Sequence, residues 1–272
     1  MTMQAGLSPD SIGLEQKLLS VPTGPLCVSK SDSAPVELSL VLPTLNEAGN
    51  IERMVLLADS VVRRLQISYE LVVVDDDSPD GTWERALRMS PEVPSLRVMR
   101  RTGERGLATA VIRGWQAARG EVLGVIDADL QHPPEVLPSL WKEIQSGADL
   151  AVASRWVPGG GVSDWSLRRR MISWTAQALG RILLPKVVTR LADPLSGFFL
   201  IRRHILAEVT MDPRGYKILI EVMARCGPAR IAEVAYTFRE RQEEKSKATW
   251  NVYVEYIKQL SILRRTMFRE KQ

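Results

Sequence analysis

From residue 36 onward, apolar and polar positions follow two alternating rhythms, one with the period of strands and one with the period of helices. Val36, Leu38, Leu40 and Leu42 alternate with Glu37 and Ser39 and stop at Pro43, which predicts a strand. Ile51, Met54, Val55, Ala58, Val61, Val62 and Leu65 then recur at steps of three and four, with Glu52, Arg53, Asp59, Arg63 and Arg64 on the opposite face, which predicts an amphipathic helix. Residues 71–74 are wholly apolar and predict a strand covered on both faces. The same alternation continues with a helix over 82–89, a strand over 96–99 and a helix between Gly106 and Ala118. Ala108, Ala110, Ala117 and Ala118 would let that helix approach a sheet closely. An apolar strand from Val122 runs into Asp127, and beyond it the pattern predicts a helix over 134–146, a strand over 150–153 and a helix over about 166–184. A strand over 198–201, a helix opened by Gly215-Tyr216-Lys217 and a last strand over 231–238 complete the series.

Strands and helices taking turns in this way predict an α/β fold, a mostly parallel sheet with helices on both faces. Residues 1–35 have weak periodicity apart from an apolar patch at 14–19 and are expected to form a mobile leader; residues 36–243 form the domain. Residues 244–272 read as a C-terminal segment that carries an amphipathic helix. Trp250, Val252, Tyr253, Tyr256, Ile257, Leu260, Ile262 and Leu263 give it an apolar face, and Lys258, Arg264, Arg265, Arg269 and Lys271 gather toward its end. A basic amphipathic helix of this kind suits an anionic membrane surface or the face of its own domain.

Composition narrows the picture only a little. A net charge of +4 and a pI near 9.2 are mildly basic, so the expectation is no general nucleic-acid binding, while an anionic substrate or membrane surface is compatible. Cys27 and Cys226 have no metal-ligand spacing and suggest a reducing compartment. No apolar run reaches the roughly 18 residues that span a bilayer. The first residues lack a basic start and apolar block, so the expected location is the cytoplasmic side.

Candidate chemistry lies at the strand ends. Ligands of open α/β sheets bind outside the carboxyl ends of the strands, which predicts that Asp75, Asp127, Asp129 and Arg155 converge on one crevice. In extended backbone, residues two apart point the same way, so Asp127 and Asp129 would face one cation, with Gln131 continuing the spacing. Such oxygen ligands suit Mg²⁺ or Mn²⁺. Arg169 and Ser173, four apart on a helix, would hold a phosphate together. His132, in a Gln-His-Pro-Pro turn, reads as structural. The first strand is followed by Pro43-Thr44-Leu45-Asn46-Glu47 where a dinucleotide-binding fold would carry Gly-x-Gly-x-x-Gly, which argues against a nicotinamide dehydrogenase.

The ordered motifs Pro43-Thr44-Leu45-Asn46-Glu47, Asp75-Asp76-Asp77-Ser78-Pro79-Asp80-Gly81-Thr82 and Asp127-Ala128-Asp129-Leu130-Gln131-His132-Pro133-Pro134-Glu135 resemble those of the inverting nucleotide-sugar glycosyltransferases of the GT-A fold. Among these the chain is most similar to the dolichol-phosphate and polyprenol-phosphate mannose synthases. Asp193-Pro194-Leu195-Ser196-Gly197-Phe198-Phe199 and the stretch from Gly215 to Glu221 agree. The resemblance implies transfer of mannose from GDP-mannose to a polyprenyl phosphate, with Mg²⁺ or Mn²⁺ as cofactor; the same reaction with UDP-glucose or another nucleotide sugar, or a non-catalytic binding subunit, are the alternatives. It implies a nucleoside site of Pro43, Leu45, Glu47, Val73 and Asp75, and a metal and sugar-diphosphate site of Asp127, Ala128, Asp129 and Gln131. It further implies phosphate contacts from Arg155, Arg169, Lys217 and Arg241, with Ser173 near the lipid phosphate, and catalytic roles for Asp129, Arg155, Arg169 and Arg241. Two departures stand out: Leu45 replaces a frequent aromatic residue, and Glu244-Lys245 replaces Gly-Glu in the lid loop. A lipid acceptor would require peripheral membrane contact through the C-terminal helix or a membrane-embedded partner.

Overall fold

The computed structural model describes residues 17–30, 36–163, 167–213, 216–239 and 250–269, apart from the side chains of 167–174, 250–254 and 267–269. In chain order the elements are β1 (Leu18–Leu19), β2 (Val36–Thr44), α1 (Ile51–Arg63), β3 (Tyr69–Asp75), α2 (Thr82–Arg88), β4 (Leu96–Arg100), α3 (Leu107–Ala117) and β5 (Gly120–Val125). A 3₁₀ turn (Pro134–Val136) leads into α4 (Leu137–Gln145), followed by β6 (Leu150–Ser154), β7 (Gly161–Val162), α5 (Leu167–Leu183), α6 (Pro185–Val188), β8 (Phe199–Arg202) and α7 (Arg203–Leu206). The chain closes with α8 (Ile218–Arg225), β9 (Ile231–Ala235), β10 (Thr237–Phe238) and α9 (Trp250–Arg269).

Eight strands form one sheet in the order β1-β4-β3-β2-β5-β8-β6-β9. All pair in parallel except β8, which runs antiparallel between β5 and β6. The strands are apolar throughout because both faces are covered, and alternate residues feed two cores. Leu38, Leu40 and Leu42 of β2, with Leu71 and Val73 of β3, join the core closed by α1, α2 and α4. Val41, Val72 and Val74 join the core closed by α3, α6, α8 and α9. Helix α3 comes so near the sheet that a Cβ at Gly114 would lie 2.7 Å from Val41 and 3.0 Å from Val74, the close approach its small residues predict. Tyr256, Leu260 and Leu263 anchor α9 in the core.

Two sequence expectations need correction. Residues 17–30, assigned to a mobile leader, form a strap: Leu18 and Leu19 pair with Val98 and Met99, and Cys27 and Val28 bridge to Thr210 and Ala207. Arg113 and Gln116 on α3 hold it by donating to the carbonyls of Gly24, at 3.1 Å, and of Pro25 and Cys27, at 2.8 and 3.0 Å. The strap covers the edge of β4, which would otherwise present unpaired backbone groups, and its lack of periodicity hid it. The single strand expected over 231–238 is two. β6 ends at Ser154, so β9 loses its partner at Ala235, and β10 turns away to pair with β7.

A buried ion pair fastens the β3 end to α3. Arg101, 1% exposed, donates from Nε to Oδ1 of Asp76 at 2.7 Å, and Oδ2 of Asp76 accepts from the backbone N–H of Gly106 at 2.7 Å. Arg101 also reaches Thr109 Oγ1 and the Gly106 carbonyl, so one guanidinium organises the whole turn into α3. Removing one partner strands the other's charge in the interior. Asp76→Ala is expected to lower the unfolding free energy by about 3–5 kcal/mol in urea titration, and a loss below about 1 kcal/mol would contradict this role.

Candidate active site

The parallel strands β2, β3, β5 and β6 all end at one edge of the sheet, so the loops that follow them face the same crevice. Because β8 is antiparallel, it is the loop before it, Asp193 to Gly197, that reaches this edge, between the ends of β5 and β6.

On one side of the crevice the loops after β2 and β3 are stitched together by hydroxyl groups. Asp75, 0% exposed, accepts at Oδ2 from Thr44 Oγ1 (2.8 Å) and Ser78 Oγ (2.7 Å), and at Oδ1 from the Ser78 N–H (2.8 Å). Ser78 Oγ accepts from Asn46 N, and Thr82 Oγ1 from Glu47 N. Burial pushes the Asp75 pKa up, against the bonds from Ser78 and Thr44. Asp75 thus shapes the wall from behind. Leu45, 40% exposed, faces outward, and Pro43 and Glu47 are buried beside it. Val73, 0% exposed, packs into the core closed by α1, α2 and α4.

The loop after β5 departs from the extended geometry that would align its acids. β5 stops at Val125, Ala128 and Asp129 form a turn, and Leu130 has a φ of 62°, costly for a residue with a Cβ and a branched side chain. Asp129 Oδ1 accepts from the Gln131 N–H at 3.1 Å. Gln131 Nε2 donates to the Arg239 carbonyl at 3.1 Å and the Gln131 carbonyl accepts from Arg239 N at 2.9 Å, tying this loop to the chain just after β10. Ala128 is buried in the core. The Asp127 side chain is 30% exposed, and its Oδ1 is buried with no hydrogen-bond partner among the described residues. A Cβ at Gly197 would stand 2.9 Å from Asp127 Oδ2, so only glycine leaves this carboxylate its seat.

Facing it are two cationic side chains. Arg155 donates to Asp193 from Nε (2.6 Å), Nη2 (2.7 Å) and its backbone N–H (3.1 Å), and lies over the rings of Phe238 and Trp156 at 5.5 and 5.8 Å. Burial opposes its charge, but the Asp193 hydrogen bonds and charge outweigh that and hold its pKa above the ordinary arginine value. Two of its side-chain nitrogens are therefore committed to a carboxylate of the protein, an anchoring that the sequence reading, which assigned Arg155 to phosphates, did not foresee. Lys217 donates to the Leu195 carbonyl at 3.2 Å; burial and the charge of Arg155 push its pKa down, against the pull of Asp127 and Asp193. Asp127, Arg155, Asp193 and Lys217 thus form one electrostatic group. The side chains of Arg169 and Ser173, on α5, and all of Arg241 lie outside the described residues.

The donor set fits a hard divalent cation. Asp127 offers a buried, unpartnered oxygen, and Asp129 and Gln131 bring a second carboxylate and an amide within the same short loop. Among the described residues no three His, Cys, Asp or Glu side chains cluster as a self-sufficient metal cage. Mg²⁺ and Mn²⁺ commonly reach a protein through one or two carboxylates and share the ion with water and substrate phosphates. Reasoning from sequence missed Asp193 and Gly197 as parts of the site. Their motif was visible, but only the reversal of β8 shows where it goes.

Comparison with known proteins agrees with this architecture. The family model described as Glycosyl transferase family 2 matches residues 39–210. The dolichol-phosphate mannosyltransferase of Pyrococcus furiosus is 44% identical over 83% of this chain, which spans 63% of that protein's length. The Saccharomyces cerevisiae dolichol-phosphate mannosyltransferase is 35% identical, over 84% of this chain and 87% of that protein. The undecaprenyl-phosphate mannosyltransferase of Micrococcus luteus is 37% identical, over 80% of this chain and 89% of that one. In fold, the chain is similar to glucosyl-3-phosphoglycerate synthase of Mycobacterium tuberculosis, solved with Mn²⁺, UDP and glucosyl-3-phosphoglycerate, at a TM-score of 0.63 and 22% identity, covering 85% of this chain and 80% of that one. Mannosyl-3-phosphoglycerate synthase of Rubrobacter xylanophilus gives a TM-score of 0.65 at 19% identity, covering 96% of this chain and 84% of that one. With its sheet topology and its Asp127-Ala128-Asp129 loop at the carboxyl edge, the chain belongs to glycosyl transferase family 2 and has the GT-A fold.

Proposed function

We propose that this chain transfers mannose from GDP-mannose to a polyprenyl phosphate of the dolichyl type, with inversion at the sugar C1, at the cytoplasmic face of a membrane. The observation that carries this reading is the unpartnered, buried oxygen of Asp127, opposite Lys217 and the Arg155–Asp193 pair, in a chain similar to polyprenol-phosphate mannosyltransferases.

The acceptor phosphate is ionised near neutral pH, so the chain needs no strong general base. The barrier lies in the negative charge that grows on the leaving diphosphate. A Mg²⁺ or Mn²⁺ bound by Asp127, Asp129 and Gln131 would supply electrostatic stabilisation of that charge. Lys217, one of whose three hydrogens goes to the Leu195 carbonyl, has donors left for phosphate oxygens. Arg155 is held rigid by Asp193, so its charge is fixed before substrate arrives and costs little reorganisation. Arg169, Ser173 and Arg241 complete the phosphate contacts in this reading, aligning acceptor and donor for a single displacement, from which inversion follows. Pro43, Leu45 and Glu47 would line the nucleoside side of the crevice, held in shape by Asp75.

Access to a lipid acceptor would come through a peripheral surface, alone or with a membrane-embedded partner. No helix among the described residues is long and apolar enough to cross a bilayer. Helices α5 and α9 adjoin, with Tyr256 Oη donating to the Ala176 carbonyl at 3.1 Å, and they expose Ile182 (71%) and Ile257 (45%). Arg181, Lys258, Arg264 and Arg265 are exposed on the same two helices and Lys186 on the adjoining α6, a mixture of apolar and basic groups that suits an anionic membrane.

Incubating the protein with radiolabelled GDP-mannose, a short polyprenyl phosphate and Mn²⁺ should move label into the organic phase. Asp127→Asn and Asp129→Asn should each reduce the rate by about 10²-fold or more. Label that stays aqueous with GDP-mannose but moves with UDP-glucose would replace the donor, and no transfer from either donor would sink the proposal. In a second test, Ile182→Asp with Ile257→Asp should shift the protein from the pellet to the supernatant when sedimented with vesicles containing anionic lipid. An unchanged partition would remove this surface from the account.

A further inference from the structure

We propose that His132 and Tyr236 are positioning residues that fix the Asp127 carboxylate so that it offers one oxygen to the divalent cation, a role that rests on the metal-dependent reading above.

His132 is 3% exposed and stands in an aromatic cage: stacked on Tyr236 (centroids 5.5 Å apart, planes at 24°) and edge-on to Phe238 (5.0 Å) and Phe198 (5.8 Å). A ring that only filled this space would have no need of aimed nitrogens. Both nitrogens of His132 are aimed at polar groups: Nδ1 lies 3.0 Å from Tyr236 Oη, and Nε2 lies 3.5 Å from Asp127 Oδ2.

The roles of the two nitrogens follow from their partners. A carboxylate only accepts, so the nitrogen facing Asp127 is the one that carries hydrogen; in a neutral ring the other nitrogen must then accept, and the Tyr236 hydroxyl donates to it. Burial pushes the Tyr236 pKa up, which keeps that hydroxyl a donor. At 3.5 Å the contact to Asp127 is longer than a good hydrogen bond and acts as an aimed dipole. Gly197 leaves that oxygen its place, since a Cβ there would lie 2.9 Å from Oδ2. With Oδ2 facing the His132 N–H, Oδ1 is the oxygen without a hydrogen-bond partner among the described residues. Phe238 also lies under Arg155, 5.5 Å from its guanidinium carbon, so one aromatic cluster sets both the acid and the cation that face each other across the crevice. Partners of this kind, which orient a metal-binding carboxylate without touching the metal, typically change affinity by about 10–100-fold when removed.

The test measures Mn²⁺ binding by electron paramagnetic resonance in the presence of GDP, against a GDP–Mn²⁺ control without protein, for wild type, D127N, H132F, H132Q and Y236F. D127N should lose binding. H132F, which keeps an aromatic ring in the cage but has no N–H, should weaken binding about 10-fold or more while the melting temperature stays close to wild type, and H132Q, which retains an N–H donor, should recover part of the loss. Y236F removes only the hydroxyl and should weaken binding by about threefold or more, which decides the matter if H132F does not fold. Wild-type affinity in folded H132F and in Y236F, with D127N still defective, would overturn the positioning role and leave the metal reading intact. Wild type that binds no Mn²⁺, or D127N that binds as wild type does, would overturn both.

Discussion

The bidentate pair between Arg155 and Asp193 is the contact on which the rest of the crevice depends. It is buried, and it joins the end of β6 to the loop that enters the antiparallel strand β8. Glu233 on β9 reinforces the same loop by accepting from the backbone N–H groups of Ala192 and Asp193 at 2.7 and 3.1 Å. Three strands are thereby fixed relative to one another at the carboxyl edge of the sheet. A buried pair of this geometry adds little net stability compared with apolar packing, because desolvation of both charges offsets their attraction. Its value is positional: it sets the 193–197 turn, and that turn sets how near Gly197 comes to Asp127.

Strain and polarity concentrate at this edge. Asn46, Asp77 and Leu130, all with φ near +60°, lie in the loops after β2, β3 and β5. Asn and Asp tolerate that conformation, whereas Leu130 is held in it by its neighbours, Asp129 capping Gln131 and Gln131 pairing with Arg239. The two cores beneath supply the rigidity, since apolar strands covered on both faces leave the loops little freedom to relax.

Much of this was legible in the sequence. The two periodicities located nearly every main strand and helix, and the rule that open α/β sheets bind ligands at strand carboxyl ends brought Asp75, Asp127, Asp129 and Arg155 to one edge. Other features depend on long-range contacts that no local pattern encodes. The partner of Arg155 lies 38 residues away, beyond a strand whose reversed direction could not be read from its composition. Asp75 reads as a ligand-binding acid in sequence but spends both oxygens on Thr44 and Ser78. The strap over residues 17–30 carries no period because its core contacts, Leu19, Val21, Leu26 and Val28, are irregularly spaced and α3 holds it by its backbone carbonyls.

The proposed function turns on a crevice in which Asp127 Oδ1, opposite Lys217 and the Arg155–Asp193 pair, has no hydrogen-bond partner among the described residues, and its central claim concerns that oxygen. Anomalous diffraction at the manganese edge from crystals grown with Mn²⁺ and GDP tests it most directly. The account predicts a manganese peak about 2.0–2.2 Å from Asp127 Oδ1, with GDP phosphate oxygens completing the shell and the Arg155–Asp193 pair intact. A manganese ion bound without Asp127, or a site reached only by breaking that pair, would contradict it.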